Sequence, residues 1–247
     1  MTYIPKTVLI TGATGDFGRA FAKRFAAIGS SLILHGRSPE KLATLATEFP
    51  EAKTLCFDIT DRAALNAAMA ELPDVDLLIN NAGGALGGSS AETSELEDWL
   101  NMIEMNNAAL VAITHPVLKG MSARRRGHII NIGSIAGSYP YPGGHVYCAV
   151  KAFVKQFSLA LRADTYSQNI RVTNIEPGMV ETQFSLVRFD GDEKKAGAVY
   201  AGTNPLKAED IAESVFWAAT LPEHMNINRI ELMPTRQAPG PLVVDRD

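Results

Sequence analysis

The stretch Lys6-Thr7-Val8-Leu9-Ile10-Thr11-Gly12-Ala13-Thr14-Gly15-Asp16-Phe17-Gly18 runs from an apolar segment through a glycine-rich turn into a helix. Lys6 to Thr11 reads as a strand, and Phe17, Phe21, Phe25 and Ile28 then mark one helical face. Glycines between a strand and a helix let backbone approach a pyrophosphate, and the helix N-terminus supplies oriented N–H groups. Such a turn alone is weak evidence, so its surroundings carry the weight. A strand at Ser31 to His35 comes next, then a helix started by Ser38 and Pro39 and a strand at Thr54 to Phe57. A helix near Asp61 to Ala70 precedes the strand Val75 to Ile79. Strand-helix alternation of this kind implies an α/β fold, a doubly wound parallel sheet with helices on both faces.

Later segments continue the pattern. Ser94 and Glu97 form a capping-box pattern ahead of a long helix. Ile129-Ile130-Asn131-Ile132 reads as a buried strand that ends at Gly133-Ser134, and Ile170 to Ile175 as another. Lys207 to Leu221 is a helix stopped by Pro222, and Asn228 to Leu232 a last strand. Arg124-Arg125-Arg126 sits where positive charge favours a helix C-terminus. Gln183 to Tyr200 has no firm periodicity and suits a mobile lid over about 183–204. The tail, about 234–247, is too irregular to place and could cross to a neighbouring subunit.

Composition narrows the class. Hydrophobic residues make up 46% of 247 and charged residues 20%, ordinary for a soluble globular chain. Net charge is -4, from 23 basic and 27 acidic residues, which argues against nucleic acid as a main partner. Val8-Leu9-Ile10 is too short for the core of a signal peptide, and the polar residues of the uncharged run Gly127 to Val150 rule out a membrane span. Cys56 and Cys148 give neither a disulfide framework nor metal-ligand spacing, so the expectation is a reduced, cytoplasmic protein with no metal.

Chemistry concentrates around Tyr147-Cys148-Ala149-Val150-Lys151. Four residues apart on a helix, Tyr147 and Lys151 share one face. A free tyrosine titrates near about pH 10, and a nearby ammonium favours the phenolate, so Lys151 is expected to lower the Tyr147 pKa. Ser134, at the edge of the preceding strand, can face the same crevice. Past the second strand no Asp or Glu occurs from Phe17 to Pro39, and Arg37 is placed to meet a 2′-phosphate, which favours NADP over NAD.

Ser134, Tyr147 and Lys151 in this order resemble the reaction centre of the short-chain dehydrogenase/reductase family. Asn80-Asn81-Ala82-Gly83, the Gly12-Ala13-Thr14-Gly15-Asp16-Phe17-Gly18 turn, Met105-Asn106-Asn107-Ala108-Ala109 and Pro177-Gly178 through Thr182 match further family motifs, so the resemblance covers essentially the whole chain. It implies one Rossmann-type NADP-binding domain over 1–247. Ser134 and Tyr147 would then hold the substrate oxygen, Tyr147 would exchange its proton, and Lys151 would bind the nicotinamide ribose. Asn106 aligns with the residue that completes the proton path, with Asn107 as the register alternative. NADP would be met by Gly12, Thr14, Gly15, Phe17, Gly18, Arg37, Asp58 and Ile59. Asn81, Ala82, Gly83, Tyr147, Lys151, Pro177, Gly178, Val180 and Thr182 would complete its site. Asp58 could instead cap a helix. Asp16 departs from the family's main branch, where glycine stands, and its carboxylate is expected to point away from the phosphates.

A narrower resemblance rests on Gly143-Gly144-His145-Val146-Tyr147, Phe184-Ser185-Leu186-Val187-Arg188-Phe189 and Leu221-Pro222-Glu223-His224-Met225-Asn226-Ile227-Asn228. These segments are similar to bacterial NADP-dependent 3-hydroxy acid dehydrogenases, which act on serine, allo-threonine and 3-hydroxypropionate, and to sulfoacetaldehyde reductases. Both imply a cationic clamp for a small anionic hydroxy acid or aldehyde, with Arg188 the candidate against an ordinary surface ion pair. A 3-oxoacyl carrier-protein reductase is the broader alternative, and a non-catalytic NADP-binding sensor the alternative of another class. The resemblance also implies a homotetramer built on the helices near Leu96 to Ser122 and Val146 to Ser167.

Overall fold

Continuous apolar runs become the central parallel strands because helices cover them on both sides, whereas the two edge strands, Lys53–Cys56 and Arg229–Leu232, stay partly exposed. The computed structural model describes residues 3–189 and 191–240. Its strands are β1 Thr7–Ile10, β2 Ser31–Gly36, β3 Lys53–Cys56, β4 Leu77–Asn80, β5 Gly127–Ile132, β6 Ile170–Pro177 and β7 Arg229–Leu232. They form one sheet in the order β3-β2-β1-β4-β5-β6-β7. Strand order reverses between β1 and β4, so a crevice opens beyond their C-terminal ends.

The helices are α1 Asp16–Ala26, α2 Pro39–Glu48, α3 Arg62–Ala70, α4 Leu96–Ile103, α5 Ala109–Arg124, α6 His145–Thr165, α7 Phe184–Arg188, α8 Glu193–Tyr200 and α9 Ala208–Thr220. Alternation along β1 sorts the two cores. Val8 and Ile10 join Phe21, Phe25, Ile211 and Val215 under α1 and α9, whereas Leu9 joins Leu65, Ile113 and Met121 under α3 and α5. Phe21, Phe25, Leu9 and Ile113 are almost wholly buried, and truncating one aromatic of this kind to alanine costs about 3–5 kcal/mol.

Local caps explain the element starts. Ser38 accepts from the Lys41 N–H at 3.2 Å, and Asp61 accepts from the Ala63 and Ala64 N–H groups at 3.0 Å. Ser94 and Glu97 do not form the expected capping box. Glu95 is the N-cap of α4, and the Ser94 hydroxyl accepts from the Trp99 indole N–H and donates to the Ala91 carbonyl, each at 2.9 Å. Packing of the large indole overrides the four-residue pattern. The three arginines do close α5: Arg124 lies in its last turn, Arg125 is its C-cap, and the Arg125 and Arg126 N–H groups donate to the Ser122 and Met121 carbonyls, each at 3.1 Å, while the side chains reach elsewhere. Arg124 pairs with Asp74, Arg126 with the buried Asp76, and Arg125 takes a left-handed backbone while donating to the Ser167 carbonyl.

Between α4 and α5 the chain makes a π turn at Glu104–Ala108. The 183–204 segment, which lacks clear periodicity, nevertheless holds α7 and α8. Its two ends meet in a bridge of Val180 with Leu206. Beyond β7 the tail turns back. The Gln237 carboxamide oxygen accepts from the Met179 N–H at 2.8 Å, while the last stretch, 241–247, lies outside the described residues, as does any crossing it makes to a neighbour. No helix among the described residues is long and apolar enough to cross a membrane.

Candidate active site

At the end of β1 the turn is built for close approach. Gly12 has φ +62°, and a Cβ there would stand 3.0 Å from the Ala82 Cα. A Cβ on Gly18 would collide with the Gly12 carbonyl and with Ala13. The α1 N-terminus can therefore sit tight against the turn only because that position is glycine. Thr14 closes on β2, where a Cβ on Gly36 would lie 2.8 Å from the Thr14 methyl. Gly15 is the N-cap of α1, ahead of Asp16 and Phe17.

His35, which sequence reasoning passed over, braces this turn. Its Nδ1 accepts from the Gly12 N–H at 3.4 Å, its carbonyl accepts from the Ala13 N–H at 2.7 Å, and its Nε2 meets the Phe57 carbonyl at 3.1 Å. Burial lowers its pKa, so the ring is neutral at pH 7, with Nδ1 the acceptor and Nε2–H the donor. Its place two residues before Arg37 on an apolar strand was the available signal.

Arg37 is exposed just past β2. Asp58 accepts from the Thr60 N–H and hydroxyl at 2.9 and 2.7 Å, and these bonds hold its pKa low. Asp61 rather than Asp58 caps α3, which removes the capping alternative for Asp58. Ile59 follows in the same turn. Across the crevice, Asn81 donates to the Thr11 and Gly12 carbonyls at 2.9 and 3.1 Å, and the Thr11 hydroxyl accepts from the Asn81 and Ala82 N–H groups. The buried Asn80 side chain ties β4 to β5 through Asn131 at 2.8 Å.

Gly83 marks where two site residues meet. The place of its missing Cβ is 2.5 Å from Asn106 Oδ1 and 3.9 Å from Lys151 Nζ. Asn106, on the π turn, donates to the Gly84 and Met102 carbonyls at 2.9 and 2.8 Å and accepts from the Gly84 N–H at 3.2 Å. Asn107 faces elsewhere and donates to the Val150 carbonyl on α6 at 3.0 Å. Lys151 donates to the Ile132 carbonyl at 3.0 Å, and burial lowers its pKa to about 8.

Tyr147 is buried beside Phe184, ring centroids 5.7 Å apart. Here the structure corrects the expected direction. Loss of hydration raises the Tyr147 pKa well above the usual tyrosine value; Ser134 and the Arg188 charge pull it down, and Lys151 is not among the causes. The Lys151 ammonium stands 5.8 Å from the Tyr147 ring centroid and is turned to the Ile132 carbonyl. Ser134 itself is half-buried at the end of β5 and accepts from the Ala136 N–H at 3.1 Å.

On the far wall, the Pro177-Gly178 turn follows β6 and is backed by Gln237; a Cβ on Gly178 would strike its carboxamide. Val180 bridges to Leu206, and the Thr182 hydroxyl accepts from the Phe184 N–H at 3.2 Å. Arg188 reaches over from α7. It donates to the Gly87 carbonyl at 2.9 Å, the Tyr141 hydroxyl at 2.9 Å and the Gly143 carbonyl at 3.2 Å, with no ion pair among the described residues. The guanidinium is thus fixed by neutral oxygens, which leaves its charge for something else. Tyr141 and Gly87, which hold it, went unnoticed in the sequence.

The short chain dehydrogenase family model matches residues 6–192. The NADP-dependent 3-hydroxy acid dehydrogenase YdfG of Salmonella typhi is 52% identical over 245 residues, 97% of this chain and 99% of that protein. Sulfoacetaldehyde reductase 2 of Chromohalobacter salexigens is 50% identical over 248 residues, 97% of this chain and 98% of its own length. Among solved structures, the closed form of serine dehydrogenase complexed with NADP+ superposes with a TM-score of 0.93 at 48% identity, covering 98% of this chain and 100% of the other.

Proposed function

We infer the reaction from one premise: the chain belongs to the short-chain dehydrogenase family. It is an NADP-dependent oxidoreductase that interconverts a small 3-hydroxy acid and its semialdehyde, of the serine, allo-threonine or 3-hydroxypropionate type. The observation that carries the substrate class is Arg188, a cation held by three neutral oxygens and close enough to Tyr147 to perturb it. An anionic group two or three bonds from the reacting carbon would meet it while the oxygen meets Ser134 and Tyr147.

The residues present fit NADP. The glycine cradle of Gly12, Gly15 and Gly18 would take the pyrophosphate with Thr14 and Phe17 beside it, and Arg37 the 2′-phosphate. Asp58 and Ile59 would flank the adenine, and Asn81, Ala82 and Gly83 its ribose. Lys151 and Tyr147 would hold the nicotinamide ribose, and Pro177, Gly178, Val180 and Thr182 the carboxamide. Bound NADPH supplies the hydride. In reduction the Ser134 hydroxyl holds the carbonyl oxygen, and Tyr147, kept protonated by burial, gives its proton as negative charge grows on that oxygen. Lys151 replenishes the phenol. The Asn106 amide is engaged by Gly84 and Met102, so its contribution to the proton path would be to hold the Gly83–Gly84 loop beside Lys151.

Sulfoacetaldehyde reduction is the second reading, because a guanidinium fork accepts a sulfonate as readily as a carboxylate. The test is the initial rate of NADPH oxidation with malonic semialdehyde and with sulfoacetaldehyde, using wild type and Arg188→Ala. Expected is a preference for malonic semialdehyde, with kcat/KM falling roughly 100-fold in the variant, about 3 kcal/mol of lost anion binding. A preference for sulfoacetaldehyde moves the protein to sulfonate metabolism, and no activity with either ends the small-anion reading. The same proposal makes the chain a single functional unit and a cytoplasmic homotetramer.

A further inference from the structure

We propose that Asp16 is a positioning residue whose carboxylate latches the hinge of the 183–204 segment, so that the phosphate-cradling turn and the segment carrying Arg188 close as one unit. Asp16 opens α1, and its Oδ2 accepts from the Gln183 N–H at 2.7 Å across 167 positions of sequence. A carboxylate at that point would repel phosphates if it faced into the turn. The Gln183 N–H turns it outward and gives it a partner.

Gln183 is where the chain leaves its anchored base. On one side lie the Val180–Leu206 bridge and the hydrogen bonds Glu181 N–H to the Leu206 carbonyl, 2.9 Å, and Leu206 N–H to the Met179 carbonyl, 3.0 Å. On the other, α7 sets Phe184 against Tyr147 and sends Arg188 across the crevice to Gly87 and Gly143. The segment is therefore fastened at its tip by Arg188 and at its hinge by Asp16. A hydrogen bond to a charged acceptor is about twice as strong as a neutral one, so losing it shifts the segment toward open conformations.

Removing the carboxylate has two consequences of opposite sign, which separates a latch from general structural damage. It takes a negative charge away from the phosphates, so cofactor affinity holds or improves. It also loosens the segment that presents Arg188, so the small substrate binds less well; this second effect rests on the substrate reading above. The experiment compares Asp16→Ala and Asp16→Asn with wild type by amide hydrogen exchange at Gln183 in cofactor-free protein, by the Kd for NADP+, and by substrate KM at saturating NADPH. In Asp16→Ala the Gln183 amide should exchange roughly tenfold faster and KM should rise roughly tenfold, with Kd for NADP+ no weaker. Asp16→Asn keeps an acceptor oxygen and should recover most of the protection. Unchanged exchange in Asp16→Ala overturns the latch, and so does a parallel loss of cofactor and substrate binding. Exchange needs no substrate: if wild type reduces neither semialdehyde while Gln183 loses protection in Asp16→Ala, the substrate reading falls and the latch stands.

Discussion

Ser134, Tyr147 and Lys151 were legible because covalent spacing fixes their faces on a strand end and a helix. Their proton affinities were not, because these depend on groups brought in from elsewhere. Phe184 and Tyr141 come from segments remote in sequence or folded back and pack around Tyr147, while Lys151 is buried against the Ile132 carbonyl at the end of β5. The result for Lys151 is a drop from 10.5 to about 8, roughly 3 kcal/mol at about 1.4 kcal/mol for each tenfold change in proton affinity. Between these two values the unfolded chain holds the lysine proton and the folded chain does not. Unfolding then takes up a proton, so this residue's unfavourable contribution at neutral pH fades as pH rises through the window. Lys151→Met removes the effect. Its stability relative to wild type, from urea denaturation, should therefore fall by about 2 kcal/mol between pH 7 and pH 10. An equal difference at both pH values would show that Lys151 titrates normally in the folded protein.

The asparagine pair shows what element-scale reading misses. With an ordinary helical period, Asn106 and Asn107 cannot both point to useful places, and the sequence leaves the choice of register open. The π turn at Glu104–Ala108 adds an extra residue to one turn and gives each a task. Asn106 clamps the Gly83–Gly84 loop, and Asn107 ties the turn to α6 one residue before Lys151. Asn107→Ala should cost about 1–2 kcal/mol through the lost buried hydrogen bond, which lowers Tm by roughly 2–8 °C for a chain of this size. Scanning calorimetry reads this directly, and an unchanged Tm would make the Asn107–Val150 bond energetically idle. NADP+ affinity should remain within about twofold, since Asn107 faces α6 rather than the crevice. The failed Ser94/Glu97 capping box teaches the same lesson: a local motif yields when a tryptophan five residues on claims the hydroxyl.

Across the whole molecule, the doubly wound parallel sheet followed from apolar runs and turns, since parallel strands buried on both faces leave an unbroken hydrophobic signature, whereas the order of the strands came only with the fold. The tail did not follow, because Gln237 is held by groups distant in sequence, the Met179 N–H and the Gly178 turn, and no periodicity announces it. One whole-molecule feature was visible at both levels. On α4, Leu96, Leu100 and Ile103 are 65%, 48% and 44% exposed at spacings that share one helical face, and on α6 Phe153 and Leu159 are 42% and 41% exposed. Phe153 also stacks on Phe157, centroids 5.8 Å apart and planes 7° from parallel, which makes a flat apolar surface rather than a scatter of side chains. Burying apolar area of this extent on two neighbouring helices would stabilise by about 25 cal/mol per Å², and in the proposed tetramer a second copy of the same surface would cover it in isologous contact. The proposed tetramer predicts that light scattering gives wild type about four times the 26.6 kDa chain mass. Phe153→Glu places like charges across a symmetric contact and should reduce the assembly to dimers or monomers, with the far-ultraviolet circular dichroism of α6 retained. A wild-type mass of one chain, or an undisturbed tetramer in Phe153→Glu, would remove this face from the assembly.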